Sequence, residues 1–334
     1  MGKIMIQDGI MIKKFYLVTG GTGFIGSALV RRLVKDGHRV RVLDNNIRGA
    51  VSRLDEVKSD IEFVAADIRD SNAVIDAGKG VDSIIHLAFI NGTRFFYEKP
   101  ELVLDVGVRG MLSVLDSCKK NGIGELILAS SSEVYQTPPV VPTDETVPLS
   151  IPDPLNPRYS YGGGKLICEL MAINYGRTNF DRVSIFRPHN VYGPDMGREH
   201  VIPEFVIRMK KLCEEYSEGP LEFQIQGTGK ETRAFCYIND FIDGLMIVLG
   251  NGEHLNIYHI GTQDERTISE VAQTVSEYFK RVINIKAGEE ARGGTTRRCP
   301  DIGKLQKLGY KPKWNFRDGV FKLAEWYVNH VKGV

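Results

Sequence analysis

Phe15-Tyr-Leu-Val-Thr19-Gly20-Gly21-Thr22-Gly23-Phe24-Ile25-Gly26 decides how this chain folds. A short apolar run predicts a strand over 15–19, and the pattern after the glycines predicts a helix over 24–36. Strand must turn sharply into helix, so the unpaired N–H groups of the first helical turn face outward at a pyrophosphate. Gly20 permits the turn, Gly23 lets phosphates approach the backbone, and Gly26 lets the helix pack on the sheet. The motif predicts a dinucleotide site.

The second strand, Arg39-Val-Arg-Val-Leu-Asp44, ends in a carboxylate 18 residues after Gly26. There it can accept both hydroxyls of an adenosine ribose and repel a 2′-phosphate, which favours NAD over NADP. Arg48 lies close enough to pair with such a phosphate and weighs the other way. Asp67-Ile68, after a strand over 61–65, falls where an adenine edge is met; a plain helix cap is an equal reading of Asp67.

At 334 residues the chain suffices for one large domain or two moderate ones. Its 43 Lys+Arg nearly balance 42 Asp+Glu, for a formal net charge of +1, so no global basic field points to nucleic acid or a membrane. The five cysteines (118, 168, 213, 236, 299) have no CxxC pair or metal spacing, the usage of reduced thiols in a cytoplasmic protein, and no metal is expected. Gln7-Asp8-Gly9 interrupts the apolar start, so residues 1–14 read as an extension rather than a signal peptide, with Met11 as a possible start. No run approaches transmembrane length.

Strands at 15–19, 39–43, 61–65, 82–87, 125–129 and 182–187 alternate with helices at 24–36, 71–78, 100–120 and 161–178. That alternation predicts an α/β fold, a Rossmann-type doubly wound parallel sheet, with a smaller mixed α/β C-terminal substrate domain. After Pro188 the pattern is irregular, with helices near 201–216, 240–249, 267–280, 301–308 and 317–330 and strands near 222–226 and 257–260. The expected division is a cofactor domain over 15–190, with 234–262 returning to it, and a substrate domain over 191–233 and 263–334.

Two segments carry chemistry. Leu126-Ile-Leu-Ala-Ser130-Ser131-Ser132-Glu133-Val-Tyr135 runs a strand into three hydroxyls and an acid, and Tyr161-Gly-Gly-Gly-Lys165 sets a phenol and an ammonium one helical turn apart. The ammonium favours the phenolate, which can take a proton from a sugar hydroxyl while hydride leaves the same carbon for a nicotinamide.

With these residues the chain resembles the extended short-chain dehydrogenase/reductase family, in its nucleotide-sugar epimerase, dehydratase and decarboxylase group. The likeness runs through Thr19–Gly26, Ile85-His-Leu-Ala88, Ser130–Tyr135, Tyr161–Lys165, Arg187-Pro-His-Asn190-Val-Tyr-Gly-Pro194, Thr232–Tyr237 and Arg297-Arg-Cys-Pro-Asp301. It implies Ser131, Glu133, Tyr161 and Lys165 as catalytic residues, with Tyr161 the base. It implies NAD against Gly20, Gly23, Phe24, Ile25, Gly26, Asp44, Asn45, Asp67, Ile68, Leu87, Ala88, Tyr161, Lys165 and Pro188. The nucleoside-diphosphate sugar is expected on Ser131, Ser132, Asn190, Val201, Phe223, Gln224, Ile225, Arg233, Arg292 and Arg298, with His189 and His200 as further candidates for the sugar pocket. The implied reaction opens with oxidation at sugar C4. Helices 100–120 and 161–178 are expected to pair two copies of the chain, although burial within one copy would use the same apolar residues.

The step after the 4-keto sugar is less determined. Glu133 resembles the glutamate of dehydratases and decarboxylases, and a carboxylate beside C5 would drive 4,6-dehydration or epimerisation. Ser132 stands where deoxythymidine-sugar dehydratases place Asp. A net C4 dehydrogenase or decarboxylase is the alternative, and a non-catalytic NAD sensor is a third reading that the intact Ser131, Tyr161 and Lys165 oppose. Gly107, where the family often has Asn, together with Gly162 and Gly163, suggests either an enlarged pocket for a sugar such as a heptose or close helix packing.

Overall fold

Seven parallel strands make up the central sheet, and their order fixes where a ligand can sit. In this computed structural model, residues 6–7, 10–11, 13–289 and 295–331 are described. The strands are β1 (Phe15–Thr19), β2 (Arg39–Asp44), β3 (Ile61–Ala65), β4 (Ser83–His86), β5 (Glu125–Ala129), β6 (Arg182–Pro188) and, much later in the chain, β7 (Asn256–Ile260). They lie in the order β7-β6-β5-β4-β1-β2-β3. The order reverses between β1 and β4, which opens a crevice beyond the carboxyl ends of those strands.

Strand periodicity builds a core on each face of this sheet. Tyr16, Val18, Val42, Ile85, Ile127 and Phe186 belong to one apolar cluster, while Phe15, Leu17, Leu43, Ile84, Leu126 and Leu128 belong to the other. On the second face pack α2 (Ser71–Ala77), α4 (Pro100–Asn121) and α5 (Ser160–Asn179). The first face is covered by α1 (Phe24–Lys35) and by helices from the second half of the chain, α6 (Val201–Glu215), α7 (Ile238–Asn251), α8 (Ile268–Tyr278) and α10 (Phe316–His330). Local signals set several ends: Pro100 opens α4 and Gly122, at φ 65°, closes it in the left-handed conformation. Thr267 and Glu270 form a capping box on α8.

The differences from expectation are short elements. A 3-10 helix at Val51–Asp60 and α3 (Thr93–Glu98) were not expected, and the helix expected over 301–308 is only α9 (Gly303–Lys307). Past β6, the small strands Thr232–Ala234, Glu265–Thr267 and Arg297–Arg298 form a three-stranded sheet. Leu221–Gln224 pairs with Ile283–Lys286. Each is too brief to carry its own periodicity. The five cysteines are all free, and no described helix is long and apolar enough to cross a membrane.

Candidate active site

The turn after β1 is shaped by contact, not only by flexibility. Gly20 has φ +73°, and a Cβ there would lie 2.7 Å from the Ala88 backbone nitrogen. A Cβ on Gly26 would lie 2.2 Å from the Gly20 carbonyl oxygen, so only glycine lets α1 start against the strand end. Gly23 is the N-cap and offers no side chain to the first turn. The open N–H groups of that turn face a cleft of about 430 Å³.

Gly20, Gly23, Phe24, Ile25, Gly26, Asp44, Asn45, Ile68, Leu87, Ala88 and Pro188 line this cleft. Asp44 is fixed by backbone donors, Thr22 N–H at 3.0 Å and Asn46 N–H at 2.8 Å. Arg48 also lines the cleft, with its guanidinium 3.4 Å from Glu199 and over the Phe95 ring. These features fit NAD: a glycine cradle, a free helix start and a carboxylate at the end of β2. Asp67 departs from its expected place. Its carboxylate is gripped by Arg69 and bonded by Asn45, which holds it down at about 2, and it is not among the cleft-lining residues. Nor is it a helix cap: Asp70 caps α2.

At the other end of the cleft, Ser131, Ser132, Glu133, Tyr161, Lys165, Asn190 and Arg298 converge. Ser131 caps a short 3-10 turn and accepts the Glu133 N–H at 3.1 Å. Burial pushes the Tyr161 phenol up, a hydrogen bond with Ser131 draws it back, and the charge of Glu133 raises it again. Burial brings the Lys165 ammonium down to about 8, opposed by Cys168 and Glu169. Lys165 Nζ donates to the Ala129 carbonyl at 2.7 Å and sits 5.9 Å from the Tyr161 ring centre.

Glu133 is held by arginines. Arg298 Nη1 reaches its Oε1 at 2.5 Å, and Arg158 Nη2 lies 3.9 Å from Oε2. Burial alone would raise the Glu133 carboxyl, but Arg298, with Arg158 and Arg233 behind it, brings it below its usual range. Arg158 was not anticipated, because three residues before Tyr161 it looks like any loop arginine. Its Nε is buried without a hydrogen-bond partner.

Behind the reacting groups runs a buried polar chain. Arg187 grips Glu169 through Nε at 2.9 Å and Nη2 at 2.6 Å, Glu169 accepts Ser130 Oγ, and Arg187 donates to the Tyr135 hydroxyl. Tyr135 in turn pairs with His259 Nε2 at 2.7 Å. Ser130, Tyr135 and Glu169 thereby anchor the carboxyl end of β5 to α5 and β6.

Other expected substrate residues lie elsewhere. Val201, Phe223, Gln224, Ile225 and Arg233 do not line the cleft. Phe223 and Ile225 are buried in the core because Leu221–Gln224 turns alternate side chains inward. Arg233 donates to the Thr232 and Thr295 carbonyls, and burial brings its guanidinium down to about 10. Arg292 lies outside the described residues. His200 lines the cleft; His189 is buried beside His259, and neither of its ring nitrogens has a hydrogen-bond partner.

Gly107 and Gly162 do not enlarge the pocket, and a Cβ on Gly163 would meet only Ile151 Cδ1, at 3.4 Å. A Cβ on Gly107 would meet Phe89 Cζ at 2.4 Å, and one on Gly162 would meet Gln136 Nε2 at 2.4 Å. The vacated space holds neighbouring side chains, so close packing is the explanation for both.

A glycine-cradled dinucleotide cleft ending in Ser131, Tyr161 and Lys165 defines an NAD-dependent enzyme of the extended short-chain dehydrogenase/reductase type. The chain belongs to the NAD dependent epimerase/dehydratase family, whose family model matches residues 16–261. It is 32% identical over 318 residues to UDP-glucuronic acid decarboxylase 6 of Arabidopsis thaliana, covering 92% of this chain and 87% of that one. A dTDP-glucose 4,6-dehydratase from Streptomyces venezuelae, crystallised with NAD, superposes with a TM-score of 0.83 at 29% identity, covering 94% of this chain and 97% of the other. The Thermus thermophilus UDP-glucose 4-epimerase in complex with NAD gives 0.82 at 26% identity, covering 95% and 100%.

Proposed function

We propose that this enzyme oxidises C4 of a nucleoside-diphospho-hexuronate and that the 4-keto sugar then loses its C6 carboxylate as carbon dioxide. The observation that carries this reading is the charge at the sugar end. Arg158 and Arg298 both line the cleft and share one carboxylate, Glu133, with Arg233 adding to the same field. The surplus of positive charge suits a substrate carboxylate. Several curated relatives, at 29–32% identity, are decarboxylases of nucleotide-linked uronic acids, which supports the same substrate class.

The residues act as follows. Tyr161, as phenolate, takes the C4 hydroxyl proton, and Ser131 hydrogen-bonds the same oxygen. NAD bound in the cleft supplies the hydride acceptor. A ketone at C4 makes the sugar a β-keto acid, so the C5–C6 bond electrons flow into the carbonyl as carbon dioxide leaves. Arg158 and Arg298 hold the carboxylate before it departs.

A second reading rests on Glu133 itself. Held ionised beside the sugar, it would act as the base at C5 of a neutral hexose and lead to 4,6-dehydration or epimerisation. Mass spectrometry of products from a nucleotide-sugar panel separates the two. Loss of carbon dioxide from UDP-glucuronate supports decarboxylation, whereas loss of water from a UDP- or dTDP-hexose, or isomerisation, supports the second reading.

Three further parts belong to the same proposal. The cofactor domain spans 15–190 with 234–262, and 191–233 with 263–334 carry the nucleotide sugar. Two copies pair through α4 and α5, which expose Leu104, Leu112, Ile167 and Leu170; sedimentation at several concentrations tests this. The free thiols suit a cytoplasmic enzyme.

A further inference from the structure

Phe89 follows Ala88 just beyond β4 and lines the cleft. Its ring touches both members of the proton-transfer pair: Lys165 Nζ lies 4.1 Å from the ring centre, and the Tyr161 ring meets it edge-on at 5.3 Å and 89°. Phe96 stacks on Tyr161 at 4.9 Å and 18°. The seat for Phe89 exists only because two helices lack side chains there. A Cβ at Gly107 in α4 would lie 2.4 Å from Phe89 Cζ, and one at Gly164 in α5 would lie 3.0 Å away. Lys165 is 4% exposed and makes its hydrogen bond to Ala129, and the Phe89 face, nearer than the Tyr161 ring, adds a stabilising contact for its charge.

We propose that Phe89 is a positioning residue for proton transfer, its face seating the Lys165 ammonium and its ring standing at a right angle to the Tyr161 ring, in a slot left by Gly107 and Gly164. This rests on the roles given above to Tyr161 and Lys165. The other groups facing Lys165 are Cys168 and Glu169 on its own helix and His86 on β4, while Ser131 and Glu133 face Tyr161. Because burial already brings Lys165 into the titratable range, a weaker aromatic face lowers the pH at which the ammonium loses its proton.

The test replaces Phe89 with 3,5-difluorophenylalanine, which keeps the ring's volume and drains its face of electron density. In the NAD-loaded enzyme with UDP-glucuronate, the alkaline limb of C4 oxidation, followed by NADH absorbance, moves down by about half a pH unit. KM stays within about twofold. The fluorine resonance of the substrate-free protein titrates in the same range and loses that titration in Lys165→Met, a readout independent of turnover. Gly107→Ala, which pushes the ring from its seat, lowers kcat and moves the alkaline limb down in the same direction. A fluorinated protein with an unchanged alkaline limb, or a flat fluorine resonance, overturns the proposal while the function stands. Turnover surviving Tyr161→Phe overturns both.

Discussion

Arg298 and Glu133 stand 165 residues apart in sequence, yet their side chains meet at 2.5 Å on the wall of the sugar end of the cleft. The guanidinium is nearly buried and the carboxylate is partly open. The pair joins the turn after β5 to a two-residue strand near the end of the chain, so both halves contribute to one charged wall.

Removing Arg298 reverses the balance at Glu133. Burial then dominates and the carboxyl rises from its lowered position, so the ionised form is lost at a higher pH than before. In Arg298→Met the acid limb of product formation moves to higher pH. Turnover falls by about tenfold to a thousandfold, the range expected for a lost charge contact to substrate. A pH–rate series on the variant and the parent checks both.

Tyr161→Phe removes the base without removing ring packing against Phe89 and Phe96. C4 oxidation drops by about 10²–10⁴-fold while NAD affinity is retained. Stopped-flow NADH absorbance, alongside an NAD titration, checks the split.

Asp44→Ala strips the acceptor from the end of β2 and frees the Thr22 and Asn46 N–H groups. NAD binding weakens by about tenfold or more, and the preference over NADP shrinks because the charge that repels a 2′-phosphate is gone. Calorimetric titration of cofactor-stripped protein measures both affinities.

Glu169 and Arg187 are almost wholly buried as a bidentate pair. Glu169→Leu leaves Arg187 without its carboxylate and costs about 3–5 kcal/mol in unfolding free energy. The double variant Glu169→Leu/Arg187→Met loses less than the single one, because no buried charge is orphaned. Urea denaturation reports the difference.

His86 and His259 set an acid boundary for stability. Burial is the chief cause that holds each down to about 3, against an ordinary value of 6.5. At these two positions the unfolded chain therefore takes up protons as pH falls below about 6.5, whereas the folded chain does not until about 3. Each histidine removes about 1.4 kcal/mol of stability per pH unit across that window, and none above it. Thermal melts from neutral pH downward show the slope.

The sheet and the cofactor end of the cleft were legible in the sequence because each strand is a short apolar run bounded by turn residues, and the glycine run has few other structural uses. Tyr161 and Lys165 were legible as a pair because spacing on a helix is a local property, whereas position after a strand offered three serines and only the family resemblance singled out Ser131. Arg158 and Phe89 were not. Arginine in a loop and phenylalanine after a strand carry no spacing signal, and their roles arise only when α4, α5 and β4 come together. Phe223 and Ile225 were assigned by resemblance, through a strand whose backbone pairs with the base, and their inward-facing side chains leave that backbone edge as the part concerned. Gly107 showed an absence, but which neighbour fills it depends on packing that no local pattern encodes.

The late position of Arg298 has a consequence for synthesis. As the chain leaves the ribosome, residues 15–188 supply the glycine cradle and the phenol–ammonium pair well before residue 298 appears. Until it appears, Glu133 lacks its 2.5 Å guanidinium partner, and the first face of the sheet still lacks α10, so the cleft wall and the core beneath it are completed together.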